Sequence, residues 1–406
     1  MSSTEAARPA RASLAIIFVI VFIDLLGFGI VLPLLPRYAQ RFDASDLETG
    51  LLFSSYSAMQ FLFAPLWGRL SDRIGRRPVL IAGLAGTSVF YALFGVAALT
   101  PSFELMFVSR IGAGIAAATI STAQAYIADC TGHEGRARGM ALIGAAFGIG
   151  FTFGPMLGSV VMPGADAASL NPLPGFLAAG LSFMAMIAAW LKLPESLHRG
   201  IAPPRRGWLN ISAIRDAVSV PTLGQLLLLF FIATFAFSQF ETTISRLTLQ
   251  VFGLSDASNF WLFTYIGITL CVMQGVLVRR LAIHVSEGPM IIAGAALMGV
   301  GLFGVSVATS RESLPLLIGI MPFLIAGFSL LTPSTQSLIS RRTDPARQGE
   351  IMGVNQSASA MARILAPLCG HSLFGYGPKL PYWVGAALLV PALLLAISSA
   401  RRSPPS

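Results

Sequence analysis

The sequence predicts an all-α integral membrane protein with twelve transmembrane helices arranged in two six-helix lobes. Apolar residues make up 55% of the 406 residues and charged residues only 11%, whereas about 25% of a typical soluble protein is charged. The mean hydropathy is +0.74. Apolar runs of about 20 residues recur along the whole chain, and a helix needs this length to cross a bilayer. The alternating ten-residue pattern of an outer-membrane barrel is absent from the sequence.

The predicted spans follow one another with short connections. The first contains Asp24 and is too long for the apolar part of a signal peptide, so we expect a retained helix. A longer polar connection, 194–221, is predicted to be a cytoplasmic linker between an N-terminal lobe, 1–193, and a C-terminal lobe, 222–406. The twelve spans are residues 14–36, 49–67, 79–99, 103–128, 140–162, 175–193, 222–245, 258–278, 289–309, 314–338, 350–374 and 381–400.

Lysine and arginine are distributed unevenly between the two sides of the predicted bundle. Twelve spans place both termini on one side, which carries 20 of the 27 basic residues, whereas the other side carries five. The remaining two, Arg110 and Arg363, lie inside spans. Basic loops stay in the cytoplasm, so both termini are predicted to be cytoplasmic. The net charge of +9 therefore reflects membrane topology, and no nucleic-acid partner is expected.

The polar residues exclude several functional classes. Cys130, Cys271 and Cys369 are isolated, and the four histidines are scattered, so neither a disulfide framework nor a metal site is predicted. No nucleophile–base grouping points to an enzyme, no cofactor is expected, and no Gly-rich phosphate loop indicates an ATP-driven pump. Short tails and a short linker leave no room for a signalling domain. Two lobes of six spans are typical of secondary transporters, whose sites lie near the middle of the membrane.

The loop after the second span carries the strongest motif, Gly-Arg-Leu-Ser-Asp-Arg-Ile-Gly-Arg-Arg-Pro at 68–78. A glycine allows close helix approach, an aspartate can bind arginines, and a second glycine permits a tight turn. Such a cluster can latch a transporter in one conformational state, although a basic loop that only sets topology is the alternative. The candidate latch residues are Gly68, Asp72, Arg73, Gly75, Arg76 and Arg77. Asp129, at the inner end of the fourth span, is expected to reach Arg73 or Arg76 and complete the latch; a solvated acid at the helix end is the alternative.

This loop resembles the signature of the major facilitator superfamily. Three further segments resemble the drug–proton antiporter group and its tetracycline-efflux branch: residues 24–36 in the first span, Arg110-Ile-Gly-Ala-Gly114 in the fourth, and 347–353 at the entry of the eleventh. Gly150, Gly154, Pro155 and Gly158 match the antiporter motif of the fifth span. The resemblance implies the major facilitator fold, a monomer, and a bacterial-type inner (plasma) membrane. The acids that tetracycline exporters carry in the third and ninth spans are absent, so the resemblance does not identify tetracycline as the substrate.

Four charged residues of the spans are candidate site residues. Asp24 is about 15 Å deep at 1.5 Å per residue, and a lone charge there costs several kcal/mol unless it is paired or faces water. It is either a proton carrier or cation ligand, or a structural partner of Arg110. Arg363, near mid-depth, would clamp an anionic group, keep Asp24 ionised, or act as a strut to backbone carbonyls. Glu241, near the outer end of the seventh span, is the second candidate for the protonated group.

Intramembrane amides and small residues complete the candidate site. The amides are either substrate partners or hydrogen bonds between helices. The glycines and proline of the fifth span are expected to thin and kink it, so that a neighbouring helix packs closely. The candidate amides are Gln60, Gln124, Gln274, Gln336 and Gln356, with Asn355 beside the last of them.

Together these features predict a secondary active transporter that exports a small amphipathic or drug-like compound by alternating access, in exchange for protons. The alternative is an organic-anion or metabolite carrier that uses Arg110 and Arg363 and does not require protons. In either case the expected partners are a small-molecule substrate and the lipid bilayer, with protons added in the first.

Overall fold

The structure is a computed structural model that describes residues 3–131, 136–162, 170–197, 215, 220–308, 310–344 and 347–401. All regular secondary structure within these ranges is helical. Most of the predicted linker, and with it His198, Arg205 and Arg206, lies outside the described residues. Helices dominate because a bilayer offers backbone groups no water, and a helix satisfies them within its own segment.

Eight α-helices precede the predicted linker. A 3₁₀ turn, Leu32–Leu34, joins the first two, so that the first predicted span consists of two helices. The fourth predicted span is also divided, between the fifth and sixth helices. The bounds are α1 Ser3–Val31, α2 Leu35–Arg41, α3 Asp46–Ile74, α4 Arg76–Leu99, α5 Phe103–Ala117, α6 Ile120–Cys130, α7 Arg136–Val160 and α8 Leu173–Lys192.

Seven α-helices follow the predicted linker. A π-helical stretch, Met273–Val278, interrupts the eighth predicted span and contains Gln274. Proline lies inside three of these helices, at Pro333, Pro367 and Pro391 among others, which neighbouring helices make tolerable in membranes. The bounds are α9 Pro221–Gln250, α10 Asp256–Val272, α11 Arg279–His284, α12 Glu287–Val307, α13 Leu314–Arg341, α14 Gln348–Tyr376 and α15 Leu380–Arg401.

The chain folds into two compact units that do not follow the sequence halves completely. The first consists of residues 1–42, 55–205 and 255–267, and the second of 43–54, 206–254 and 268–406. The first unit thus includes the start of α10, and the second unit includes the start of α3. The first has an apolar core around Ile17, Leu80, Tyr126 and Ala185. The second has a core around Leu229, Ile291, Leu331 and Ala396.

Nine helical segments of the described residues are long and apolar enough to cross a membrane. Twelve spans therefore remain a prediction, because three of the predicted segments coincide with helices outside that set. Two of these, α3 and α14, carry several polar side chains along their 29 residues each. The third, α7, contributes a shorter apolar helical segment, Ile149–Val160.

Candidate transport site

Asp24 lies in the first unit at the edge of a small pocket. The side chain is 8% exposed, and its Oδ1 atom is buried without a hydrogen-bond partner among the described residues. The pocket measures about 10 Å³, which is room for about one water molecule. Its walls come from α1, α4 and the junction of α5 with α6, and include Leu80, Gly83 and Thr119. The carboxyl thus faces the interior of one helix bundle.

Arg110 does not form the ion pair with Asp24 that was one interpretation of the sequence. It is 1% exposed, and its Nε and Nη1 atoms have no hydrogen-bond partner among the described residues. Its guanidinium carbon instead lies 4.4 Å from the centroid of the Tyr56 ring and 5.8 Å from that of Phe28. Tyr91 is close enough to interact electrostatically with both Asp24 and Arg110. Aromatic rings therefore lie beside Arg110 where a carboxylate was expected.

A break in the fourth predicted span forms one wall of the Asp24 pocket. Helix α5 ends at Ala117 and α6 begins at Ile120. Two side chains of α3 satisfy carbonyl groups beside the break: Gln60 Nε2 donates to Ala117 O at 3.4 Å, and Trp67 Nε1 donates to Ile115 O at 2.7 Å. Of the two predicted roles for Gln60, this contact supports a hydrogen bond between helices.

The glycines of the fifth predicted span pack against helix α1, as the motif predicts. A Cβ atom on Gly154 would lie 2.9 Å from the Cα atom of Gly29, and one on Gly150 would lie 2.7 Å from the Cβ of Leu25. Pro155 borders the same contact, 3.4 Å from the position that a Cβ on Gly29 would take. Gly158 faces Phe260 at the start of α10. These small residues bring two backbones together directly beside Asp24.

The 68–78 loop forms a charged cluster inside the first unit. Arg76 is 8% exposed; it pairs with Asp72, donates from Nε to Asp129 Oδ2 at 3.2 Å, and donates from Nη1 to Ser71 Oγ at 2.7 Å. Gly75 has a φ of +113°, which favours glycine. Asp129 was expected to reach Arg73 or Arg76, and the structure selects Arg76.

Glu195 belongs to this cluster, although the sequence analysis did not single it out. Its carboxylate accepts hydrogen bonds from the backbone N–H groups of Arg76 at 2.8 Å and Arg77 at 3.2 Å. It therefore caps the positive end of α4. Arg77 also donates to the carbonyl of Trp190 at 2.5 Å. In the sequence, a carboxylate followed by a polar linker is typical of a solvated residue, so the sequence does not indicate this contact.

Glu241 and Arg363 both belong to the second unit. Both side chains are half-buried, and the positive charge of Arg363 interacts favourably with the Glu241 carboxylate. Arg363 had three predicted roles, and a partnership with Glu241 was not among them. With Glu241 included, the four intramembrane charges of Asp24, Arg110, Glu241 and Arg363 sum to zero.

The candidate amide side chains differ in their exposure to solvent. Gln124, Gln274 and Gln336 are half-buried, whereas Gln356 is exposed. Asn355 is fully buried with neither amide atom hydrogen-bonded to a described residue, and Gln239 is buried in the same way. Gln239 was not a candidate in the sequence analysis. The second unit thus holds two buried amides without a hydrogen bond to a described residue, which is a costly arrangement.

Comparison with known proteins agrees with the motifs. The sequence profile described as Major Facilitator Superfamily matches residues 17–367, with a second match over 277–406. The tetracycline resistance protein, class C, of Escherichia coli is 33% identical over 400 residues, which cover 95% of each chain. Major facilitator superfamily domain-containing protein 10 of Homo sapiens is 30% identical over 446 residues, which cover 96% of this chain and 94% of the relative.

A solved structure supports the same relationship. The crystal structure of the human organic anion transporter MFSD10 (TETRAN) superimposes with a TM-score of 0.70 at 26% sequence identity. The match covers 96% of this chain and 99% of that one. Relatives of two kinds, bacterial resistance proteins and an organic anion transporter, thus match the chain over nearly its full length.

Proposed function

Because this chain belongs to the Major Facilitator Superfamily and is an integral membrane transporter, we propose that it exports a small amphipathic compound in exchange for protons. Alternating access carries the compound across the membrane, with Asp24 as the protonated group. The observation that carries the proposal is the buried Asp24 carboxyl, which lines a water-sized pocket and has an unpartnered Oδ1 atom. The similarity to tetracycline resistance proteins supports export.

The mechanism rests on the cost of charge inside the membrane. A lone carboxylate at this depth costs several kcal/mol, and a carboxyl that takes up a proton avoids that cost. Ionised and protonated Asp24 therefore favour different conformations of the helices around the pocket. Substrate bound elsewhere in the protein favours one of them, and the two equilibria become linked.

The helices around Asp24 can transmit this change. Gly29 and Gly154 bring α1 and α7 into backbone contact beside it. The junction of α5 with α6 at Ala118 and Thr119 forms another wall. At the predicted cytoplasmic end, Arg76 ties Asp72 to Asp129. In the proposed cycle this cluster stabilises one state and loosens in the other, and Glu241 is the second choice for the protonated group.

The second candidate function is transport of an organic anion without protons. Arg110 favours it, because this fully charged guanidinium is surrounded by aromatic rings and pairs with no carboxylate among the described residues. The likeness to a human organic anion transporter points the same way. Under this alternative, Arg110 and Arg363 bind the anionic group and Asp24 is not titrated during transport.

Purified protein in liposomes that contain a pH-sensitive dye tests the two functions against each other. A panel of cationic, zwitterionic and anionic amphiphiles, tetracycline among them, is added under an imposed proton gradient. Substrate-evoked proton movement is expected in the wild type and at least about tenfold less in Asp24→Asn, because general proton-transfer steps depend this strongly on their titratable group.

Glu104→Gln is the matched control, since Glu104 is an exposed acid at the start of α5. It should leave proton movement unchanged. Uptake of a labelled anion without proton movement, lost in Arg110→Gln and retained in Asp24→Asn, would replace the antiport proposal with the anion carrier.

A further inference from the structure

Two ion pairs lie on the predicted outer side, at helix ends that belong to different halves of the sequence. Arg37, at the end of the first predicted span, pairs with Asp256 at the start of α10. Arg246, at the outer end of α9, pairs with Asp46 at the start of α3. Each pair lies inside one compact unit, because residues 255–267 belong to the first unit and 43–54 to the second.

The four residues occupy equivalent positions in the two halves. Arg37 and Asp46 flank the connection between the first and second predicted spans, and Arg246 and Asp256 flank the connection between the seventh and eighth. Each arginine pairs with the aspartate of the other half. The exchange is therefore reciprocal, which is consistent with a two-fold repeat of six helices.

Both aspartates open their helices in the same way. Ser45 precedes Asp46 and Ser255 precedes Asp256, and each serine carbonyl accepts the first helical hydrogen bond at 2.9 Å. Each serine side chain also accepts a backbone N–H three residues later, at 3.3 Å from Glu48 and 3.2 Å from Ser258. An aspartate at the first position of a capped helix is held where the positive end of the helix stabilises it.

Both arginines are held in place by further contacts. Arg37 donates from Nη2 to the carbonyl of Ser255 at 3.3 Å, and Asn259 donates to the carbonyl of Pro33 at 3.4 Å. The guanidinium carbon of Arg246 lies 4.5 Å from the centroid of the Phe374 ring. Each pair is thus part of a fixed contact and not a loose surface bridge.

The two pairs are mostly shielded from solvent. The Arg37 and Asp256 side chains are 8% and 12% exposed, and those of Arg246 and Asp46 are 17% and 33% exposed. Separation of a shielded pair leaves a charge without its partner, which costs far more than separation of an exposed pair. A conformational change that separates these helix ends must expose all four charged side chains to water.

We propose that these two ion pairs form a reciprocal outer clasp, defined as Arg37–Asp256 and Arg246–Asp46, that holds the predicted outer side closed and opens during each transport cycle. The inference rests on the alternating access described under the proposed function. It assigns the outer side a charged closure of its own, separate from the cluster at 68–78. The two pairs are equivalent, so loss of either should weaken the closure by a similar factor.

The distance between spin labels at Gln40→Cys and Gln250→Cys, in protein whose three native cysteines are replaced by alanine, reports the opening of this side. The single reversals Arg37→Asp and Arg246→Asp place like charges together and should raise the ratio of open to closed molecules about tenfold, the factor that corresponds to about 1.4 kcal/mol. The swapped variants Arg37→Asp/Asp256→Arg and Arg246→Asp/Asp46→Arg should return the ratio to near the wild-type value.

Lys379→Asp is the matched control, because Lys379 is exposed on the same predicted side. If a reversal prevents folding, Arg37→Gln and Arg246→Gln should shift the ratio in the same direction by a smaller factor. An unchanged distance distribution in folded single variants, or no recovery in the swaps, would overturn the clasp. The measurement needs neither substrate nor a proton gradient, so a failure of the antiport proposal in liposomes would remain distinguishable from it.

Discussion

The two intramembrane acids, Asp24 and Glu241, differ in the charges that lie near them. Asp24 is buried in the first unit beside a small pocket, with Oδ1 unpartnered among the described residues. Glu241 is half-buried in the second unit and interacts with the positive charge of Arg363. Burial without a counter-charge favours the protonated form of a carboxyl, whereas a positive charge nearby favours the ionised form. The comparison explains why Asp24 is the first choice for a proton carrier.

Removal of the positive charge near Glu241 should cost the most stability. Arg363→Met should lower the free energy of unfolding by up to about 3 kcal/mol, because Glu241 then becomes a lone charge within its span. The double variant Glu241→Gln/Arg363→Met should recover at least half of this loss. Thermal unfolding in detergent, followed by intrinsic fluorescence, measures both. Equal losses in the single and double variants would mean that the two side chains are not coupled.

The next effect tests how tightly the first unit is packed around Asp24. Gly154→Leu should destabilise the protein by about 2 kcal/mol, since the new side chain meets the backbone of Gly29. Gly180→Leu is the control, because a Cβ atom there has no neighbour within 4 Å. Thermal unfolding of the pair separates local crowding from a general effect of leucine. Similar midpoints for the two variants would contradict the close approach of α1 and α7.

A smaller effect is expected at the wall of the pocket. Trp67→Phe removes the hydrogen bond to Ile115 O but keeps most of the ring, and should cost about 1 kcal/mol. The Ile115 carbonyl then keeps only the longer hydrogen bond from the Ala118 N–H, at 3.4 Å, so faster hydrogen exchange is expected in residues 115–120. Trp261→Phe serves as a control, since Trp261 is 58% exposed. Unchanged exchange in residues 115–120 would show that the break does not depend on this contact.

Neutral substitutions of the two acids are expected to differ in the sign of their effect on stability. Asp24→Asn should leave the free energy of unfolding within about 0.5 kcal/mol of the wild type or raise it, because no ion pair is lost. Glu241→Gln should lower it. Chemical unfolding of the two variants side by side gives both signs. A loss for Asp24→Asn as large as that for Glu241→Gln would reveal a charged partner of Asp24.

Much of the architecture could be predicted, because the bilayer sets the length of an apolar helix and the motifs lie at helix ends. The pairing of Arg76 with Asp129 followed from that placement. The pairing of Asp24 with Arg110 did not occur, since depth in the membrane says nothing about which way a side chain points around its helix. Tyr56 and Phe28, which surround Arg110 instead, look like ordinary membrane aromatics in the sequence.

The breaks within helices were the other feature that the sequence did not predict. Ala118 and Thr119 interrupt the fourth span without a proline or glycine at either position. The cause is tertiary, because Gln60 and Trp67 of another helix satisfy carbonyl groups there. Glu195 was missed for a related reason: its partners are the backbone N–H groups of Arg76 and Arg77, and a sequence motif does not record backbone partners.

The π-helical stretch at Met273–Val278 changes how the eighth span must be interpreted. A π turn holds about one more residue than an α turn, and each residue of an α-helix advances by about 100° around the axis. Residues after the stretch, such as Arg279 and Arg280, therefore face a different direction from the one that a regular helical wheel drawn from Asp256 assigns them. Deletion of one residue within 273–278 would restore the α-helical phase and turn this charged end toward a new set of neighbours.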